Sequence, residues 1–222
     1  MTTPQRDRPE SLSGLLGGRR AAIDATLPPV AFGLAWWLSD SSVRVGVAVA
    51  IAVSVLLAVW RLVRGDKPRA VLIGLAGVCV AGLIALYTGR GEDFFLLQLL
   101  SNGASALAWM ISITIRWPLL GVIVGTVLGQ KTQWRRDPAL VRAYGRASWV
   151  WVGQYVLRLA VFLPLWMAQA VGALTAARVA LSWPLVAACL TVSWWVLKRQ
   201  LPSDHPGIRH PRTDQSSTEV VE

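Results

Sequence analysis

Residues 147–167 read A-S-W-V-W-V-G-Q-Y-V-L-R-L-A-V-F-L-P-L-W-M, an apolar run with Arg158 near its middle. A hydrocarbon core about 30 Å thick takes roughly 20 helical residues, so this run is long enough to cross it. Backbone polar groups find no water in that core, which leaves a helix as the only spanning form for one isolated run. A guanidinium at mid-depth costs about 2.5–3.5 kcal/mol on insertion scales. Other helices must therefore enclose Arg158, and the chain has to supply them.

It does: uncharged runs recur between Pro28 and Leu197. Only 15% of the 222 residues are charged and the mean hydropathy is +0.49, where a soluble domain carries about a quarter charged residues. The pattern predicts an all-α polytopic helix bundle over residues 21–200. It has about six full spans, at 21–38, 43–63, 70–87, 94–115, 147–167 and 176–197, with a short outer turn at 168–175. Residues 117–129 are too few to cross, reaching only about 20 Å, and predict a short re-entrant or interfacial helix. Residues 1–20 form a polar tail with a short amphipathic segment at 11–20 and no leader pattern. Residues 201–222, polar and proline-containing without periodicity, predict a disordered tail.

The net charge of +10 invites a nucleic-acid reading, which the distribution rejects. Arginines and lysines sit mainly in short loops between apolar runs, where the positive-inside rule puts them. This predicts a bacterial plasma-membrane protein with both termini cytoplasmic, its partners the bilayer and the anionic headgroups beside the inner basic loops. Arg44, Arg90 and Arg178 fall outside, partly offset by Asp40, Glu92 and Asp93. The acids at 92 and 93 read as ordinary helix N-terminal residues. Trp36, Trp37 and Trp166 fit an outer aromatic belt, and Trp60, Trp117, Trp149, Trp151, Trp194 and Trp195 an inner one.

The fourth run carries Gln98, Ser101, Asn102, Ser105, Ser112 and Arg116 at three- and four-residue spacing, with Trp109 on the same face. Such a stripe belongs in a bundle interior. Asn102 falls about 13 Å below the outer end and Arg158 about 14 Å, so they should share a level. The candidate site is Arg158 held by Asn102, by Gln154 one turn before it, and by carbonyls near Asp24 and Ala25 that Pro28 and Pro29 free. Gln98 extends it. The structural reading is helix-to-helix glue; the functional one is an anchor for an anion or lipid headgroup.

Other patterns carry less. Gly121, Gly125 and Gly129 form a small-residue ladder suited to close helix packing. Residues 125–132 imitate a phosphate-binding loop, but Gln130 replaces the second glycine and no strand precedes it. Residues 134–146 form a basic, aromatic-flanked loop, a topology anchor. Arg178, Ser182, Cys189 and Ser193 fall on roughly one face of the last run, for packing. Cys79 and Cys189 are apolar fillers, and His205 and His210 lie in the tail, so no metal or cofactor is expected. No nucleophile–base pair is present, and the chain is not expected to be an enzyme.

Three stretches, L-G-G-R-R-A-A-I-D-A-T-L-P-P-V-A-F, T-G-R-G-E-D-F-F with R-W-P-L-L-G, and W-R-R-D-P with W-V-W-V-G-Q-Y-V-L-R-L, resemble an uncharacterised family of actinobacterial multi-pass membrane proteins, a domain of unknown function. The likeness covers about residues 12–198. A fainter one, in the short segment after the fourth run, is to the intracellular septation protein A group. The resemblance implies a fold and a compartment and supplies no activity. Two functions fit: a non-catalytic structural or assembly factor of the cell envelope, or a small oligomeric transporter, channel or lipid-handling protein with an anion-compatible site at Arg158. Candidate partners are further copies of the chain or other envelope proteins. An inverted repeat of broken helices, which would favour transport, is not seen.

Overall fold

The computed structural model describes residues 18–66, 68–129 and 132–200, with side chains from Thr26 onward apart from those of residues 67, 130 and 131. The expected tails at 1–17 and 201–222 and most of the amphipathic segment lie outside the described residues. So do Gln130 and Lys131 of the loop imitation. Among the described residues the regular structure is entirely helical. In chain order come α1 (Gly18–Leu38), α2 (Val43–Val63), α3 (Pro68–Thr88), a 3-10 turn (Gly91–Phe95), α4 (Leu96–Thr114) and α5 (Leu119–Val127). A second 3-10 turn (Gln133–Arg136), α6 (Pro138–Met167), α7 (Val171–Ala180) and α8 (Trp183–Gln200) complete the chain.

Five segments are long and apolar enough to cross a membrane: Val43–Val63, Pro68–Thr88, Gly91–Thr114, Pro138–Met167 and Val171–Gln200. They mark a membrane-embedded protein. The count is five rather than six because the described apolar part of α1 is only Thr26–Leu38. Pro28 and Pro29 lie inside α1, which continues through them.

The last segment differs from expectation. The outer turn predicted at 168–175 is mostly helix, since α7 starts at Val171, and the chain breaks at Leu181 and Ser182 before α8. Pro184 has no N–H for the Ala180 carbonyl. Prolines do lie inside α1 and α6, so that alone does not decide. Ser182 adds the second cause, its hydroxyl donating to the Val179 carbonyl at 2.7 Å and so drawing the backbone out of the helical ladder. Arg178 and Ser182 therefore share no helix with Cys189 and Ser193.

The described chain forms two compact units: one reaches to Leu97 and includes Ala168–Trp183, and the other comprises Gln98–Met167 with the chain from Pro184. In the first, glycines set the helix spacing. A Cβ on Gly46 would meet the Phe32 ring at 3.0 Å, one on Gly82 would meet Val47 at 2.8 Å, and one on Gly33 would overlap Thr175 of α7. The polar turn after α1 closes with Asp40 and Ser41 at φ 51 and 68. There the Ser41 N–H reaches the Trp36 carbonyl at 2.9 Å, a Schellman-type end. Phe32 stacks on Phe94 at 4.1 Å, with Phe95 edge-on to both.

In the second unit α4 ends as Arg116 turns left-handed at φ 55 and the Trp117 N–H bonds the Ser112 carbonyl at 2.9 Å. Ser112 does more than line a stripe. Its hydroxyl donates to the Trp109 carbonyl at 2.7 Å and accepts from the Leu119 N–H at 3.3 Å, tying α5 to α4. With 9 residues, α5 reaches about 14 Å, less than half a hydrocarbon core. Trp134, 1% exposed, lies under Gly121 and meets Tyr144 edge-on at 5.6 Å. Gly121 thus receives an indole from the loop, and Gly129, at φ 67, follows the end of α5 rather than extending a helix ladder. The loop continues with Asp137, whose carboxylate accepts from the Ala139 and Leu140 N–H groups at 3.0 and 3.3 Å. It caps α6 just ahead of Pro138, which suits the first helical position.

Candidate functional site

Helical spacing puts Gln98, Asn102, Ser105, Trp109 and Ser112 on one face of α4, and Tyr144, Ser148, Trp151, Gln154 and Arg158 on one face of α6. These faces meet where Trp109 stacks on Trp151, ring centroids 5.4 Å apart and nearly parallel. Met110 and Ile113 near the end of α4 share a cluster with Leu140, Ala143 and Tyr144 near the start of α6. The two helices therefore run antiparallel. Two turns along each helix from the stack bring Asn102 and Arg158 to one level, about 10 Å away. Arg146 hydrogen-bonds Gln200 and Arg158 interacts electrostatically with Cys189, so α8 also runs antiparallel to α6. Counting from that bond puts Ser193 near the level of Gln154 and Cys189 near that of Arg158.

The interior so formed is polar and incompletely paired. Asn102 and Gln154 are each 4% exposed. Asn102 Nδ2, Gln154 Oε1, Gln98 Oε1 and Ser193 Oγ are buried without a hydrogen-bond partner among the described residues, as are Tyr144 OH, Ser148 Oγ and Trp151 Nε1. An orphaned buried group costs about 1–3 kcal/mol. A run of them lies along α4, α6 and α8. Arg158 is half-buried at the far end, its guanidinium 6.0 Å from the Tyr155 ring.

Of the residues singled out in the sequence, Gln98, Asn102, Gln154 and Arg158 belong to this unit. Pro28 and Pro29 are buried in α1 of the first unit, and the Asp24 side chain lies outside the described residues. Ser101 and Arg116, counted in the stripe, are exposed. Sequence reasoning missed Tyr144, Ser148 and Trp151, although their three- and four-residue spacing to Arg158 was the available signal. Trp151 stacks on Trp109, and its Nε1 is buried.

The described part of this unit has one carboxylate, Asp137, and it caps α6. No group of three histidine, cysteine or acidic side chains able to hold a metal occurs among the described residues. What remains among the described residues is a hydrogen-bonding interior with Arg158 as its cation.

The first unit holds acids that the sequence made look ordinary. Glu92 and Asp93 are buried, with Arg90 Nε 2.7 Å from Glu92 and 3.8 Å from Asp93. That hydrogen bond to Glu92 foremost holds the Arg90 guanidinium above its ordinary pKa. The pair of carboxylates sits in the first turn of the helical segment Gly91–Thr114, as expected, and is buried there beside Arg90.

No curated protein and no solved structure matches this chain. Residues 16–204 match the family model described as "Protein of unknown function (DUF3159)", and the chain, a membrane-embedded protein whose described residues are helical, belongs to that family.

Proposed function

We propose that this protein binds, and moves or presents, a small anion or lipid headgroup in the polar interior of its second unit. Arg158 supplies the charge, and Asn102, Gln154 and Gln98 the hydrogen bonds. The reading includes a bacterial plasma-membrane location with both termini cytoplasmic, on charge distribution, and no catalytic step. An actinobacterial source fits the arginine-rich composition. The observation that carries it is the set of buried polar atoms on α4, α6 and α8 that have no partner among the described residues. Helix-to-helix glue would pair these atoms with one another; a binding site leaves them for its occupant.

The test is the double replacement Asn102→Leu with Gln154→Leu, read by thermal stability in detergent and by uptake of a panel of anions into proteoliposomes, with Arg158→Leu alongside. A binding site predicts variants at least as stable as the native protein and an uptake lost in all of them. Destabilisation by about 1–2 kcal/mol, the worth of buried interhelical hydrogen bonds, with uptake unchanged would instead support a structural or assembly role in the envelope.

A further inference from the structure

At the end of the second unit where α4 closes, α6 begins and α8 finishes, cations lie on indoles. The Arg135 guanidinium is 3.8 Å above the Trp117 ring, that of Arg199 is 4.2 Å above Trp195, and the Lys198 ammonium is 5.2 Å from Trp194. Arg136, Arg142 and Arg146 stand exposed beside them. The one described carboxylate at this end, Asp137, is 2% exposed and accepts from α6 N–H groups. None of these six cations is paired with a carboxylate among the described residues. The first unit contrasts, with Arg61 bonded to Asp66 at 2.8 Å and Arg90 to Glu92.

Stacking fixes a guanidinium without neutralising it, and its in-plane N–H groups stay directed outward for oxygen acceptors. A fork of this kind matches a phosphate. The tryptophans at this end are themselves exposed, and within a turn or two of the helices come exposed aliphatic side chains, Ile111 on α4, Ile115 just past its end, and Leu190 and Val192 on α8. An occupant must therefore satisfy charge, an amphipathic indole layer and a hydrocarbon surface in succession. A polynucleotide satisfies the first two at most. An amphiphile satisfies all three.

We infer that this end of the second unit is a binding site for anionic phospholipid: Arg135 and Arg199 take the phosphodiester, Arg136, Arg142 and Lys198 supply the surrounding charge, and the indoles hold the glycerol level. The site is separate from the interior at Arg158 and stands whether or not that interior binds anything.

The experiment titrates the purified full chain, in a neutral detergent, with fluorescent phosphatidylglycerol and with phosphatidylcholine of the same acyl chains. Phosphatidylglycerol should bind at least about tenfold tighter, with a preference that shrinks as salt rises. Each basic residue near a charged headgroup contributes about fivefold. Arg135→Gln with Arg199→Gln should therefore weaken phosphatidylglycerol binding by about twenty-fold, whereas Arg44→Gln in the first unit should not. Should the first pair disturb the fold, Arg136→Gln with Arg142→Gln removes charge without touching an indole and should show a similar loss. Equal affinity for the two lipids, or undiminished binding in both double variants, would overturn the proposal. So would competition by inorganic phosphate at constant ionic strength, which would mark a free-phosphate site, or equal affinity for an oligonucleotide.

Discussion

Gly121→Ala tests the packing that sets the second unit's short helix in place. A Cβ at this position would lie 2.8 Å from two carbons of the Trp134 ring and 3.0 Å from a third. Real Cβ contacts essentially never fall below 3.0 Å, so either α5 or the indole must move. The indole has little room, being 1% exposed and edge-on to Tyr144. Overpacking of this kind typically costs about 1–3 kcal/mol. The helix preference for alanine over glycine returns about 0.5–1, leaving a net loss on the order of 1–2. For a chain of 150–250 residues each kcal/mol moves the Tm by about 2–4 °C, so the variant should melt roughly 2–8 °C lower in detergent. Gly145→Ala on α6, where nothing lies within 4 Å, is the control and should melt at or slightly above the native temperature. A double-mutant cycle with Trp134→Phe isolates the clash, because the smaller ring makes room. Trp134→Phe should be destabilising alone, and Gly121→Ala should cost less in its presence. Strict additivity, or a Gly121→Ala protein as stable as Gly145→Ala, would refute the contact.

Three further outcomes follow from the geometry. Asp137→Ala removes a buried cap from α6 and should cost about 1–2 kcal/mol in thermal unfolding, the upper part of the usual range because no water can replace it. Arg116→Gly relieves a left-handed residue with a side chain at the end of α4 and should stabilise by about 1 kcal/mol, read by the same melt. Gly33→Ala, whose Cβ would overlap Thr175, should destabilise the first unit, and Thr175→Ala should relieve part of that loss.

The helices and their place in a membrane were legible because hydropathy over about 20 residues reports them directly. The polar face of α4 was legible too, since three- and four-residue spacing survives any change of neighbour. What the pattern could not carry were side chains whose role depends on tertiary geometry. Trp151 reads as an interface residue until Trp109 is found stacked on it. Glu92 and Asp93 read as a helix start, which they are, but nothing in their spacing shows that they are buried with Arg90 bonded to Glu92. The break at Leu181 and Ser182 hid inside an apolar run because one hydroxyl and one proline leave the hydropathy unchanged. Trp134 looked like part of a charged loop, and only the glycine facing it, Gly121, shows that it is the core of that end.

Accessibility of cysteine to a charged, membrane-impermeant thiol reagent tests the polar interior most directly. With Cys79 and Cys189 replaced by alanine, Asn102→Cys and Ser193→Cys report on the interior, and Leu107→Cys reports on an exposed, apolar position of α4. Such reagents attack the thiolate, which forms only in contact with water. An interior completed by water or a polar occupant predicts modification at 102 and 193 and none at 107 in protein held in a bilayer. Protection at 102 and 193 equal to that at 107 would mean a dry, sealed interior, and the binding site at Arg158 would go with it.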